Sequence, residues 1–166
     1  MIRLALYQPD IPQNTGAMLR LGACLTVPVD IVEPCGFPLS DKSLRRAGMD
    51  YLDQVDLTIH PGWEAFCSSL DDRSRRLILL TTKAQTSYTA FGFGSSDVIL
   101  TGRESAGVPD EVHRRADHRV IIPLSPHARS LNVANAAAMV LGEALRQTKS
   151  FPRAQSDPIS FSRPKG

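Results

Sequence analysis

The sequence predicts an α/β domain built on a mostly parallel β-sheet that is flanked by helices. Short apolar runs alternate with segments whose apolar residues recur at helical spacing. The runs at 77–80 and 98–100 are continuously apolar, which is typical of strands that are buried on both faces of a parallel sheet. With 166 residues, 42% hydrophobic and 22% charged, the chain has the size and composition of one globular domain.

The elements follow in order from apolar runs, turn residues and cap residues. The predicted strands are apolar runs that end near turn residues, at 2–6, 27–32, 57–59, 76–81, 97–101 and 119–122. The predicted helices are 12–25, 40–46, 61–70, 110–116 and 132–147. Asp10 is a candidate N-cap for the first helix, and Gly48 is a stop signal after the second. We predict one domain over 1–149 and a disordered, proline-containing tail over 150–166.

Composition restricts the classes of protein to which the chain can belong. No apolar stretch approaches the roughly 20 residues of a transmembrane helix, and residues 1–10 lack the pattern of a secretion signal. Cys24, Cys35 and Cys67 are an odd, dispersed set, which is typical of reduced thiols rather than of disulfides or a zinc site. We therefore expect a cytoplasmic protein without membrane contact. The net charge of +2 means that any nucleic-acid binding must come from local basic patches.

Several common α/β site motifs are missing from the sequence. Gly92-Phe-Gly94 has no third glycine at the spacing of a dinucleotide-binding loop, and no P-loop motif occurs. Arg103 stands where the nucleophile turn of a serine hydrolase would require glycine. The four histidines lie in no metal-ligand spacing, so we expect no metal site.

Three polar, glycine- and proline-containing segments each follow a predicted strand. They are 8–16 with Arg20 on the next helix, 101–109, and 122–135. Because the carboxyl ends of parallel strands meet at one edge of a sheet, we expect the three segments to form a single ligand site. Taken one at a time, each segment has a simpler interpretation as a turn, with Asn132 as a helix cap.

The three segments resemble the three motifs of the SpoU-type, α/β-knot RNA methyltransferases. The resemblance extends from Met1 to Thr148 and is strongest to the branch that methylates the ribose of the wobble cytidine or uridine of tRNA. The segments that resemble this branch are 11–16, 33–37, 44–46, 48–51 and 81–83. The family implies a deep trefoil knot, an obligate homodimer, and transfer of methyl from S-adenosylmethionine to a ribose 2′-oxygen without a metal.

The resemblance also implies roles for individual residues. The catalytic positions are Asn14, Arg20, Glu104, Ser130 and Asn132. The cofactor-binding positions are Leu80, Gly102, Gly107, Ile122, Ser130 and Leu131. The very high pKa of arginine argues against Arg20 as a general base, so we expect an electrostatic clamp on the ribose oxygen or an adjacent phosphate. Arg20 would face the cleft of its own chain or reach across the dimer interface. The alternative is that Arg20 is a surface arginine and Glu104 a structural carboxylate.

Three positions depart from the family pattern. Arg103 stands where relatives often have proline, and Ala106 stands where they often have arginine. Gly142 replaces a tyrosine that is common in the wobble branch. Its place on an alanine-rich helix suggests a close approach of helices at the dimer seam.

The expected partner is tRNA, held at its anticodon stem-loop by basic clusters. The candidate clusters are Lys42-Arg45-Arg46, Arg73-Arg75-Arg76 and Arg114-Arg115. Each cluster also has the simpler interpretation of a solvated face. Three alternative functions remain: a ribosomal-RNA ribose 2′-O-methyltransferase of the same fold, a catalytically inactive knotted RNA-binding dimer, and a nucleotide-binding regulator without an RNA partner.

Overall fold

The computed structural model describes residues 1–39 and 54–153. The described residues form seven strands: β1 (Arg3–Tyr7), β2 (Val29–Val32), β3 (Leu57–His60), β4 (Leu77–Leu80), β5 (Thr86–Ser87), β6 (Val98–Thr101) and β7 (His118–Ile121). They also form four helices: α1 (Pro12–Leu25), α2 (Trp63–Asp71), α3 (Asp110–Arg115) and α4 (Val133–Thr148). The predicted helix at 40–46 and residues 154–166 of the predicted tail lie outside the described residues.

All seven strands belong to one sheet, in the order β3-β2-β1-β6-β4-β7-β5. Every strand pairing is parallel, which confirms the predicted sheet. β1 lies inside the sheet, where Leu4 is in register with Val29 of β2 and with Ile99 of β6. Every residue of β1, β2 and β6 is buried, as the continuous apolar run at 98–100 indicated for β6.

Helices cover both faces of the sheet. Because side chains alternate along a strand, Leu4 and Leu6 of β1 point into one apolar core, and Ala5 and Tyr7 point into the other. The first core includes apolar residues of α1 and α4, and these two helices contact each other. The second core includes Phe66 of α2 and Val112 of α3. No helix of the described residues is long and apolar enough to cross a membrane.

The start of α1 differs from the sequence prediction. The N-cap is Ile11, without a side-chain cap bond, and the helix begins at Pro12, whose missing N–H costs nothing at this position. Asp10 is not the cap. Its carboxylate instead accepts hydrogen bonds from the backbone N–H groups of Glu104 and Ser105. The cap prediction was wrong because a contact distant in sequence competes for the same carboxylate.

The other predicted elements lie close to the observed ones. The last helix has Asn132 as its N-cap, with Oδ1 accepting from the N–H groups of Ala134 and Asn135 at 2.9 and 3.3 Å. The sequence prediction missed β5, a polar strand of two residues. Residues 150–153 form neither helix nor strand. The trefoil knot and the boundary of the domain at 149 stay predictions.

Candidate active site

A cavity of about 500 Å³ lies at the carboxyl ends of β4, β6 and β7. This volume is within the range of small-molecule sites, about 300–1,000 Å³. Nine of the ten predicted site residues line the cavity: Asn14, Leu80, Gly102, Glu104, Gly107, Ile122, Ser130, Leu131 and Asn132. The segments 8–16, 101–109 and 122–135 therefore meet at one edge of the sheet, as the order of strands and polar segments indicated.

The loop after β6 is a tight turn that presents Glu104 to the cavity. The backbone of Arg103 both donates to and accepts from the backbone of Gly107, at 3.0 and 2.9 Å. Gly107 has a φ of +67°, a conformation that favours glycine. Gly102 packs directly against this turn, because a Cβ added at Gly102 would lie 2.8 Å from the carbonyl carbon of Gly107. The two glycines thus allow the backbone to close beneath the side chain of Glu104.

A chain of hydrogen bonds links the start of α4 to Glu104. Asn132 uses its Oδ1 to cap α4, so its Nδ2 is the group that donates to Asn14 Oδ1, at 2.9 Å. Asn14 Nδ2 in turn donates to Glu104 Oε1, at 3.1 Å. The helix cap orients the amide of Asn132, and the amide of Asn132 orients that of Asn14. The helix cap therefore determines which atom of Asn14 faces the carboxylate.

Asp10 and Glu104 form a carboxyl pair beside this chain. Each residue donates its backbone N–H to the carboxylate of the other, at 3.2 Å in both cases, and the Ser105 hydroxyl also donates to Asp10. The hydrogen bond between the two side chains lowers the pKa of Asp10 to about 2. Burial, followed by the same bond, raises the pKa of Glu104. Sequence analysis did not include Asp10 among the site residues, although it lies in the polar segment 8–16.

The remaining walls of the cavity are suited to a ligand with an apolar and a polar part. Leu80, Ile122 and Leu131 supply apolar surface, and Ser130 supplies an exposed hydroxyl. Gly102 leaves the backbone at the end of β6 without a side chain. Such walls fit an adenosine that lies against backbone and aliphatic groups. The described residues contain no group of three or more His, Cys, Asp or Glu that could hold a metal ion.

Arg20 is the one predicted site residue that does not line the cavity of its own chain. It is exposed on α1, six residues after Asn14. Six residues at about 100° each place the two side chains roughly 120° apart around the helix axis. A role of Arg20 in the cleft of its own chain stays a prediction. A role across a dimer interface stays a prediction.

Ion pairs occupy part of the predicted basic clusters. Arg76 pairs with Asp97 at 2.8 Å, and Arg115 pairs with Asp71. Arg73 and Arg114 are exposed. The cluster Lys42-Arg45-Arg46 lies outside the described residues.

Comparison with known proteins supports the same family. Residues 1–142 match the model of the SpoU rRNA Methylase family. The tRNA (cytidine(34)-2′-O)-methyltransferase of Beijerinckia indica is 61% identical over 155 residues, which cover 93% of this chain and 97% of that protein.

Two solved structures have a similar fold. One, from a study of "the 2-OH methylation of C/U34 on tRNA", has a TM-score of 0.83 and 40% identity, with 89% of this chain and 95% of that chain covered. The other is an AdoMet-bound rRNA methyltransferase from Sinorhizobium meliloti, with a TM-score of 0.77 and 26% identity, covering 87% of this chain and 56% of that chain. The family model matches most of the chain, and the parallel sheet has a cavity at its carboxyl edge. The chain therefore belongs to the SpoU methylase family.

Proposed function

We propose that this chain transfers a methyl group from S-adenosylmethionine to the ribose 2′-oxygen of the wobble nucleotide, cytidine or uridine 34, of tRNA. The observation that carries the proposal is that nine of the ten predicted site residues line the same cavity. The Beijerinckia relative, which is named a tRNA (cytidine(34)-2′-O)-methyltransferase, matches nearly the whole chain. The alternatives are an rRNA ribose methyltransferase and an inactive RNA-binding dimer.

S-adenosylmethionine would occupy the part of the cavity between the ends of β4, β6 and β7. The backbone at Gly102 and Ile122, the side chains of Leu80 and Leu131, and the Ser130 hydroxyl would hold it. This assignment is supported by the mixed lining of the cavity and by the AdoMet-bound neighbour. When bound, S-adenosylmethionine supplies an electrophilic methyl group on a sulfonium sulfur.

The polar residues of the cavity orient the ribose hydroxyl and take its proton. Glu104 is the only carboxylate among the described residues that line the cavity. Because its pKa is raised, its ionised carboxylate is a stronger proton acceptor than that of an ordinary glutamate. Asn14, held by Asn132, keeps the carboxylate in place through its 3.1 Å bond. Arg20 of a second copy stabilises the charge that develops on the ribose oxygen.

A homodimer would complete this site. Its support is a set of exposed apolar side chains, two of which line the cavity. Ile11 and Leu131, both at the cavity, are 40% and 39% exposed, and Met139 of α4 is 42% exposed. Contact with a second copy would remove such surface from water. The dimer would act on the anticodon stem-loop of tRNA in the cytoplasm.

The test is methyl transfer by the purified chain to tRNA that lacks the wobble methyl group. Labelled S-adenosylmethionine is supplied, and the labelled nucleoside is identified and mapped. We expect 2′-O-methylcytidine or 2′-O-methyluridine at position 34, the position in the name of the Beijerinckia relative. Label in rRNA fragments but not in tRNA would favour the rRNA alternative. Binding of both S-adenosylmethionine and tRNA without any transfer would favour the inactive dimer.

A further inference from the structure

A second, smaller cavity lies on the α2 face of the sheet. Its volume is about 100 Å³, and its polar lining comes from Arg3, Asp30, Thr58, His60, Ser69, Arg73 and Arg75. A water molecule takes about 30 Å³ of liquid volume, so the cavity has room for a few waters or for one tetrahedral oxyanion. None of these residues belongs to the candidate active site.

A buried network of charged groups forms the floor of this cavity. Arg3 is 7% exposed and donates from Nε and Nη2 to the two carboxylate oxygens of Asp30, at 2.6 and 3.0 Å. His60 Nε2 lies 2.9 Å from Asp30 Oδ1, and Arg3 Nη2 also donates to Thr58 Oγ1, at 3.3 Å. Both oxygens of Asp30 are thus already engaged. Its charge is matched by that of Arg3.

Two further guanidinium groups border the cavity, and neither has a carboxylate partner among the residues that the structure describes. Arg75 donates to the backbone oxygen of Met1 at 3.3 Å. Within residues 1–39 and 54–153, the side chain of Arg73 has no hydrogen-bond or ion-pair partner. Burial, followed by repulsion from Arg3 and Arg73, lowers the pKa of Arg75. The cavity therefore has an excess of positive charge that an anion would offset.

This cavity is separate from the active site. Arg3 begins β1, and Arg73 and Arg75 precede β4, so the arginines lie toward the amino ends of the strands. The active-site cavity lies at the carboxyl ends. The four steps from Arg3 to Tyr7 along β1 span about 13 Å. One small anion cannot contact both places.

We propose that the cavity bordered by Arg3, Arg73 and Arg75 binds a phosphate group. Arginine is suited to this role, because its planar guanidinium donates two parallel hydrogen bonds to phosphate oxygens. Arg3 is held in place by Asp30, whereas Arg73 is exposed and Arg75 is half-buried and bonded only to the backbone of Met1 among the described residues. The phosphate would be either a backbone phosphate of bound RNA or a free phosphate ion, and only the first of these rests on the proposed function.

The first test is a titration of the purified protein with inorganic phosphate at low ionic strength. The readout is the ¹⁵N-edited NMR signals of the arginine Nε–H groups. We expect saturable shifts of the signals of Arg3, Arg73 and Arg75. Arg73→Gln, a change at an exposed residue, should weaken phosphate binding about tenfold. Arg153→Gln is the matched control, since Arg153 is also exposed and the change in charge is the same.

Absence of saturable shifts, or equal weakening by the two variants, would overturn the proposal. This result would not depend on methyl transfer, so it is distinguishable from failure of the proposed function. The source of the phosphate follows from tRNA affinity measured over a series of salt concentrations. If RNA supplies the phosphate, Arg73→Gln should reduce the slope of log affinity against log salt by about 0.7 to 0.9. Weakened phosphate binding with an unchanged slope would assign the site to free phosphate.

Discussion

Asn14 and Glu104 lie 90 residues apart in the chain, and the side-chain amide of Asn14 donates a 3.1 Å hydrogen bond to the Glu104 carboxylate. This bond joins the first turn of α1 to the loop after β6. Asn132 adds the start of α4 through its own bond to Asn14. Three segments distant in sequence therefore act as one polar unit in the cavity wall.

Replacing Asn14 should separate the parts of this unit. Asn14→Ala removes the donor to Glu104, and a hydrogen bond to a charged group contributes about 1.5–3 kcal/mol. We expect kcat/KM for methyl transfer to fall about 10- to 100-fold, as measured in single-turnover reactions. Gln13→Ala, at the exposed neighbouring position, is the control and should leave the rate unchanged. An Asn14→Ala rate within about twofold of wild type would remove Asn14 from the mechanism.

The pH dependence of the reaction should report on Glu104. Proton acceptance requires its ionised form, so the rate should rise with pH through a pKa above the ordinary glutamate value of 4.5 and then level off. Glu104→Gln should lose most of the activity, and any remaining rate should lack this rise at acidic pH, the acidic limb of the profile. The measurement is kcat against pH with saturating substrates. An unaltered acidic limb in Glu104→Gln would mean that another group accepts the proton.

The carboxyl pair of Asp10 and Glu104 should make the free energy of unfolding depend on pH in two opposite ways. The lowered pKa of Asp10 contributes stability that is present above its ordinary value of 3.8 and is lost as pH falls toward about 2. The raised pKa of Glu104 contributes stability that is present below 4.5 and is lost as pH rises through the folded-state value. Glu104→Gln should therefore gain stability relative to wild type as pH rises from 4.5 to neutral. Urea unfolding at several pH values would show a constant difference if this interpretation were wrong.

Gly102 should not tolerate a side chain. The Cβ of Gly102→Ala would lie 2.8 Å from the carbonyl carbon of Gly107 and 3.0 Å from its Cα. Overpacking of this kind costs about 1–3 kcal/mol, and the displaced loop should weaken S-adenosylmethionine binding in calorimetry. Gly142→Ala is the control, because a Cβ there meets no atom within 4 Å. It should stabilise α4 by about 0.5–1 kcal/mol.

Gly142→Ala also tests the predicted dimer seam. If Gly142 lies at that seam, sedimentation should show weaker association for the alanine variant.

Mixed dimers can decide whether Arg20 acts across an interface. Arg20→Ala and Glu104→Gln should each be inactive alone, with S-adenosylmethionine binding by Arg20→Ala mostly intact. When the two variants are mixed and allowed to exchange, each mixed dimer has one site with both changes and one site with neither. We therefore expect recovery of about a quarter of wild-type activity, since half of the dimers are mixed. No recovery, with exchange verified, would place Arg20 and Glu104 in the same chain's site.

Local sequence patterns predicted most of the fold. Continuous apolar runs identified β4 and β6, and the bounds of α1 were predicted to the residue. β5 escaped because Thr86 and Ser87 are polar and form only two residues of strand, so no periodic pattern could reveal them. The meeting of the three polar segments followed from the rule that parallel strands end at one edge.

Contacts between distant side chains were beyond the reach of such patterns. Asp10 has the local features of an N-cap, but its carboxylate bonds to a loop 94 residues away. The Arg3–Asp30 pair depends on which strands are neighbours and on their register. The sequence held one signal for this pair, because Arg3 and Asp30 each stand within a predicted apolar strand and buried charges generally need partners.

The order in which the polar unit is assembled has a consequence for biosynthesis. Glu104 is translated 90 residues after Asn14, and Asn132 is translated 118 residues after Asn14. Domains generally begin to fold as synthesis proceeds from the amino terminus. A nascent chain that ends before Asn132 lacks both the cap of α4 and the donor that orients Asn14. The polar unit is therefore complete only after Asn132 has been translated.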